Sequence, residues 1–467
     1  MASIKKYLRS FIGDKAFYRT VMALAVPVML QNGLTNLVSL LDNIMVGSVG
    51  TDQMSGVSIV NQLLFVFNLC VFGALSGAGI FTAQFFGKGD HEGVRQTFRF
   101  KLITSAVILA VGLLVFTLFS DPLIASYLHE GSETGDIVAT AGYAADYVRV
   151  MLWGLFPFAL MQTYASTLRE TGETLLPMKA GIVAIFINLI LNYVLIFGHF
   201  GAPEMGVEGA ALATVISRYV ECAIVVIWTH RHSIEVPFII GAYRTLKVPA
   251  ELVKRIITKG MPLLANEFLW SAGMAMLTQR YAMRGLAVVA GLNICSTVSN
   301  LFSVVWMSMG TAVSIMVGQL LGASEFVKAR QTAKKLLAFS VASAAVIGVI
   351  IALLSPLFPQ LYNTSEETRQ IATGLLLIVA SALPLHSFIH ASYFTLRSGG
   401  KTWITFLFDS MYVWVVALPL ATWLTNATSL HIFVIYALVQ YVDIIKCVIG
   451  TVMLKKGVWI NNIIDAR

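Results

Sequence analysis

Long apolar runs broken by short polar stretches dominate this chain. Twelve can be marked, at about 18–46, 55–86, 96–119, 137–165, 176–198 and 207–229, then 255–283, 288–320, 331–354, 368–396, 402–424 and 430–454. Each can cross a bilayer core, which takes roughly 20 apolar residues. In lipid the backbone must satisfy its own polar groups, so each run predicts a helix. The longest polar connection, about 230–253 with Arg231, Pro237, Arg244, Lys247 and Pro249, separates six runs from six. The expected fold is therefore an all-α integral membrane protein: twelve transmembrane helices in two six-helix lobes. The N-lobe is expected over 1–230, a linker over 231–253 and the C-lobe over 254–467.

The first run departs from simple apolarity. Between Pro27 and Gly47 it carries Gln31, Asn32, Thr35, Asn36, Ser39, Asp42 and Asn43. At helical spacing Thr35, Ser39 and Asp42 share one face, while Val28, Leu37, Leu41 and Ile44 spread over the rest. A carboxylate at membrane depth costs several kcal/mol, so it marks a site facing water. The competing reading is that Asp42 lies near the helix end and reaches the interface.

Composition agrees with the pattern. Of 467 residues 57% are hydrophobic and 12% charged, against about 25% charged in a soluble domain. The formal net charge of +8 is dispersed over short loops. It is therefore no nucleic-acid footprint, which would gather in a basic stripe. Most of the 32 lysines and arginines fall on alternate loops, among them Lys5, Lys6, Arg9, Lys88, Arg95, Arg169, Arg244, Lys328, Lys334, Arg397, Lys401, Lys455, Lys456 and Arg467. The bias places both termini in the cytosol of a multi-pass plasma (inner) membrane protein. The N-terminal stretch has no short apolar region ending in a cleavage site and is expected to remain as a cytosolic lead-in. Cys70, Cys222, Cys295 and Cys447 lie in apolar runs without paired spacing, so neither a disulfide framework nor a zinc site is expected.

The two halves repeat. Gln84-Phe-Phe-Gly87 aligns with Gln319-Leu-Leu-Gly322, and the same shift of 235 maps Pro27 on Pro262, Arg95-Gln96 on Arg330-Gln331 and Tyr127 on Tyr362. Leu168-Arg-Glu-Thr-Gly172 resembles Leu396-Arg-Ser-Gly-Gly400, and Tyr219-Val-Glu221 resembles Tyr441-Val-Asp443. An even number of spans per half predicts a pseudo-two-fold axis along the membrane normal.

The acids break the repeat. Asp42 maps on Leu277 and Glu267 on Asn32, so the second half carries its carboxylate ten residues earlier in its first helix, about 15 Å along the axis. A second polar set thus comprises Asn266, Glu267 and Ser271, the i, i+4 pair His386 and His390, and Asp409. The histidines read as proton acceptors lining a cavity or as polar helix contacts, since Ser387 stands where a helical zinc motif needs Glu. Arg218 with Glu221, and Asp443 with Lys446, are spaced as i, i+3 ion pairs within their own helices. The glycines of 87–93 and Gly172 read as turns, since no strand precedes them and no Gly-Lys-Ser/Thr follows. No nucleotide-binding domain is seen, so active transport would draw on an ion gradient. Phe65, Phe158, Met161, Trp270, Met274, Trp306 and Met309 are candidates to contact flat cations, or plain core residues.

Pro27 with Asp42-Asn-Ile-Met-Val-Gly47, Gln84-Phe-Phe-Gly87, Tyr147-Val-Arg149, Leu168-Arg-Glu-Thr-Gly172, Asn188-Leu-Ile-Leu-Asn192-Tyr, Gly209-Ala-Ala-Leu-Ala-Thr214, Pro262 with Asn266-Glu267, and Gly318-Gln-Leu-Leu-Gly322 occur in one order on twelve spans. From about Ala16 to Lys456 the chain resembles the multidrug and toxic compound extrusion (MATE) family, in its NorM-like branch. The resemblance implies a two-lobe exporter of small cationic amphipathic compounds, driven by sodium ions or protons, with no cofactor and no nucleic-acid partner, working as a monomer in the bilayer. It also implies that Asp42 binds the coupling ion, with Tyr147, Asn188 and Thr214 around it, and that Glu267 with Asn266 forms the C-lobe site. Asn192 stands where some relatives carry a second carboxylate. Sodium ligation would fall to Asp42, Asn188 and Asn192. The helix-ten aspartate of sodium-linked relatives is missing, and Asp409 is its nearest stand-in.

Two other classes stay open at this level. A lipid-linked saccharide flippase of the same superfamily would share the architecture but should have an Arg-rich cavity. A membrane-embedded enzyme would need Asp or His clusters at helix ends, which the chain lacks.

Overall fold

In the computed structural model, which describes residues 10–128, 136–362 and 364–465, the chain is built from helices, with no strand among those residues. Lys5, Lys6, Arg9 and Arg467 of the charge pattern lie outside the described residues. Twelve long helices follow in order among the described residues: α1 Lys15–Gly47, α2 Thr51–Lys88, α3 His91–Ala125, α4 Ile137–Glu170, α5 Leu175–Phe197, α6 Gly206–Arg231, α7 Ala250–Ala282, α8 Leu286–Gly322, α9 Phe326–Leu354, α10 Glu366–Ser398, α11 Thr402–Ala427 and α12 Ile432–Lys456. Eleven of them are long and apolar enough to cross a membrane. The twelfth, α7, is 33 residues long and outside that group. Its central Asn266-Glu267 pair and flanking charges lower its apolarity while leaving its length intact.

Three helices are interrupted. A 3-10 turn, Leu152–Gly154, divides α4. Two π-turns, Leu407–Met411 and Val413–Ala417, occupy the middle of α11. In α12 the helix is broken between Tyr441 and Ile444. Such irregular turns frequently mark functional positions. Gly198 ends α5 in the left-handed conformation, φ 69°, which a residue with a Cβ adopts only at a cost.

By internal contact the chain divides into two compact units. One comprises Met1–Met29, Ala83–Asp90 and Ile257–Arg467, the other Leu30–Thr82 and His91–Ile256. The second unit packs around Val60, Leu64, Val71, Ala144, Leu155 and Ala211. The first has two cores, one around Leu292, Ile351, Leu375, Ala421 and Ile435, the other joining Val21 and Leu24 of α1 to Met309, Leu321, Leu336, Leu396 and Trp459. Within this unit the repeated glycines make reciprocal contacts: a Cβ on Gly87 would collide with the Gln319 carbonyl, and one on Gly322 with the Gln84 carbonyl. The Gln84 side chain then receives a hydrogen bond from the Ile463 N–H (2.9 Å) and donates to the Ser398 carbonyl (2.9 Å).

The connection after α6 is anchored to its own unit. Phe238, Ile239 and Ala242 are buried. Arg99 donates to the carbonyls of Ala242 and Gly241, both at 2.9 Å. Arg95 reaches the Phe238 carbonyl at 3.3 Å, and Glu92 pairs with both arginines.

Candidate functional site

Asp42, the acid of α1, is partly buried and meets α5. Asn192 Nδ2 donates to Asp42 Oδ1 at 2.6 Å and lies 3.2 Å from Asn188 Oδ1. Asn188 and Asn192 stand one turn apart on one face, as i, i+4 spacing requires, and both are buried. The Asn188 amide has two ways to be satisfied. In one its nitrogen donates to Thr214 Oγ1 of α6 at 3.2 Å. Rotated by half a turn, the nitrogen lies 3.1 and 3.2 Å from the two Asp42 oxygens and the amide oxygen takes up Thr214 Oγ1. Thr214 itself donates to the Ala210 carbonyl at 3.0 Å, while the rotated setting turns the amide nitrogen to the Asp42 carboxylate in place of its oxygen.

That first arrangement sets the Asn188 oxygen against the Asp42 carboxylate, acceptor facing acceptor. Asn192 Oδ1 meanwhile is buried without any hydrogen-bond partner. An oxygen-rich site with a spare acceptor and one negative charge suits a small hard cation, which takes oxygen ligands. A proton on the carboxylate would relieve the same acceptor contact. Tyr147 of α4 is buried and lies within electrostatic reach of Asp42 and Arg218. The rest of the α1 stripe differs from Asp42 in being exposed at Asn32, Thr35, Asn36 and Ser39.

The second polar centre lies where α7, α10, α11 and α12 meet. Asn266 is buried; its Nδ2 donates to Asp409 Oδ2 at 3.1 Å and lies 3.5 Å from the Tyr393 hydroxyl. Its Oδ1 accepts from Ser410 N at 3.2 Å and from Ser410 Oγ at 2.7 Å. The first π-turn of α11 is what brings Asp409 and Ser410 together to this amide. Trp414 of the second π-turn donates its indole N–H to the Leu269 carbonyl at 2.8 Å, joining α11 to α7. Glu267, the next residue after Asn266, is partly buried, and Arg397 and Asp409 are the charges that act on it.

Lys446 departs from its expected partner. The i, i+3 spacing pairs it with Asp443, yet its Nζ lies 3.3 Å from Asp409 Oδ1. Asp443 instead lies 3.9 Å from His386 Nε2. Tertiary placement by the π-turn overrides the local rule. The Arg218–Glu221 pairing is likewise loosened: Arg218 reaches the Gly154 carbonyl at 3.4 Å and stacks 5.0 Å over the Phe158 ring. His386 and His390 share a face but not an environment. His390 stands edge-on to Trp306, ring centroids 4.8 Å apart, and its Nε2 is buried without a partner.

Among the aromatic and methionine candidates, Met161 and Met309 are core, whereas Phe65, Trp270 and Met274 are exposed. The sequence pattern does not mark Arg397, Lys446, Ser410 or Tyr393 as site residues. Arg397 was placed in a loop by its neighbours but is buried at the end of α10, 5.2 Å over the Phe394 ring. The only advance sign of Ser410 and Tyr393 was their nearness to Asp409 and His390 in sequence.

The MatE family model matches residues 27–194 and again 262–425, so two copies begin at the residues Pro27 and Pro262 that the repeat pairs. The chain is 27% identical over 414 residues to the probable multidrug resistance protein NorM of Thermotoga maritima, covering 86% of this chain and 84% of that protein. It is 28% identical over 422 residues to the probable multidrug resistance protein YoeA of Bacillus subtilis, covering 89% and 88%. Among solved structures it resembles a MATE protein in complex with MaL6, TM-score 0.84 at 19% identity, over 96% of this chain and 98% of that one. It also resembles a Pyrococcus furiosus MOP-superfamily transporter described as having a binding pocket of reverse polarity, TM-score 0.80 at 20% identity, over 96% and 97%.

Proposed function

Because the chain belongs to the MatE family, whose members are transporters, we propose that it is a secondary active multidrug efflux antiporter that exports cationic amphipathic compounds in exchange for sodium ions or protons. It works in the plasma membrane with both termini cytosolic, as a monomer, and needs no cofactor. Its N-lobe runs over 1–230 and its C-lobe over 254–467, joined by 231–253. The observation that carries the reading is the Asp42 network, in which one carboxylate is met by Asn192 at 2.6 Å and by the Asn188 amide. The names of the NorM and YoeA relatives support multidrug cargo.

Competition is the mechanism the site supports. A carboxylate held in a polar membrane pocket keeps its charge when a cation pairs with it and loses it by taking a proton. Facing outward, the ion at high external concentration displaces the cargo; facing inward, the ion leaves and cargo returns. Moving one positive charge outward against the membrane potential costs about 2.3 kcal/mol per 100 mV, and one incoming cation offsets it. Asp42, Asn188 and Asn192 supply oxygens to the ion, with Tyr147 and Thr214 holding the surround. Glu267 with Asn266, and Asp409, His386 and His390 nearby, form the C-lobe site. The exposed polar stripe of α1 supports a water-filled face, since polar residues at membrane depth do not face lipid.

Buried Arg397 and Lys446, with partly buried Arg218, favour one second reading, a lipid-linked saccharide flippase, because they would suit an anionic carrier. Efflux of ethidium from proteoliposomes, with sodium and proton gradients imposed separately, tests both. Export under sodium alone makes the N-lobe oxygens cation ligands. Export under protons alone makes Asp42 or Glu267 the proton acceptor. No export under either gradient would transfer the argument to the flippase.

A further inference from the structure

The Lys446 side chain has no place in the competition described above, yet it is buried against that site. Its Nζ lies 3.3 Å from Asp409 Oδ1, with side-chain exposures of 5% and 21%. The ammonium also lies 5.3 Å from the Tyr412 ring centre and 5.6 Å from that of Phe408. Tyr412 is in turn fixed by its hydroxyl, which donates to the Val442 carbonyl at 2.8 Å beside the break in α12. A buried ammonium costs several kcal/mol unless paired. Here one carboxylate and two ring faces supply the compensation, an arrangement in which an organic cation would also be well held.

We propose that Lys446 is a tethered cation of the C-lobe site, occupying at Asp409 the position a monovalent organic cation must take, and so sets how tightly such a ligand is held. The inference rests on the reading that the cargo is cationic. With Lys446 in place the empty site is already neutralised, so an arriving cation gains only the difference between its own contacts and those of the ammonium it displaces. Asp409 cannot retreat from the exchange, because its other oxygen accepts from Asn266 at 3.1 Å. Asp443, the alternative carboxylate one turn back, is turned to His386. The same internal competitor eases release, since it re-forms its pair as the ligand leaves. Lys446 is thus a specificity-determining residue, not a ligand to the cargo.

Binding of tetraphenylphosphonium to the purified full-length protein tests this, comparing wild type with Lys446→Met, Lys446→Arg and the double variant Asp409→Asn/Lys446→Met. Lys446→Met is expected to bind about tenfold more tightly, the scale of one lost charge-assisted hydrogen bond. Lys446→Arg should stay near wild type, and the double variant should lose the gain because the gain acts through Asp409. Should Lys446→Met not fold, Lys446→Gln, which keeps a donor beside Asp409, gives the same reading. Folded Lys446→Met or Lys446→Gln without tighter binding overturns the proposal, as does a double variant that retains the gain. In either case a wild type that binds the probe leaves the antiporter reading standing. A wild type that neither binds it nor exports ethidium under either gradient removes both.

Discussion

The α-carbon of Gly87 rests against the main-chain carbonyl of Gln319, and that of Gly322 against the carbonyl of Gln84. The repeat found in the sequence is therefore also a contact, in which each copy of Gln-x-x-Gly supplies the glycine for the other's carbonyl. Alanine at either glycine has nowhere to put its methyl, because the obstacle is backbone. Gly322→Ala is expected to lower stability by about 1–3 kcal/mol, the usual cost of overpacking. Thermal unfolding of the purified protein measures it, and an unchanged midpoint would refute the contact.

Asp42→Asn removes the charge while keeping the shape, so the Asn192 bond can persist but no cation is drawn in. Ethidium efflux at matched expression should fall by about tenfold or more, the scale of one hydrogen bond to a charged group. Asn188→Ala should weaken the response to the driving ion with the fold intact. Wild-type efflux from Asp42→Asn would sink the N-lobe mechanism.

Lys101 of α3 is fully buried and pairs with Glu170 at the end of α4, with Ser166 and Thr167 each 3.2 Å from its Nζ. Lys101→Met takes the ammonium from a partly buried carboxylate, which should cost about 1–3 kcal/mol. The double variant Lys101→Met/Glu170→Gln should recover much of that loss. Chemical or thermal denaturation of the three proteins provides the cycle, and additive losses would contradict the pairing.

Arg99 holds the segment after α6 by two carbonyl bonds at 2.9 Å, each about 1.5–3 kcal/mol as charge-assisted bonds. In Arg99→Ala that segment should open more often, freeing the chain around the already exposed Arg244 and Lys247 to extend into the active site of trypsin. Limited proteolysis in detergent should show faster cleavage there than in wild type. Equal rates would mean the buried Phe238 and Ile239 hold the segment alone.

The spans were legible because a bilayer demands an apolar run of fixed length, and no soluble context competes with that demand. Asp42 stood out because polar residues are conspicuous in such runs, whereas Asn188, Asn192 and Thr214 were legible only through the family resemblance. What joins α1 to α5 and α6 was not legible, since one-dimensional spacing carries no information between helices. Lys446 shows the failure most plainly. Local spacing pointed it at Asp443, but a carboxylate 37 residues away took it, because the π-turn of α11 presents Asp409 in a way α-helical periodicity does not anticipate. Arg397 was hidden for another reason: its charge assigned it to a loop, while its aliphatic stem and the Phe394 ring allowed the helix to bury it.

A π-turn closes over five residues instead of four, so each of the two turns in α11 stores a surplus residue. Deleting one residue from Leu407–Met411 would restore ordinary helix with both flanks in register, but would withdraw the wide turn that presents Asp409 and Ser410. Asn266 would then face a different side chain, although no residue touching it had been replaced. The identity of this chamber is written partly in a residue count, which makes it sensitive to single insertions and deletions in a helix whose substitutions at exposed positions, such as Leu407 and Val415, should pass almost unnoticed.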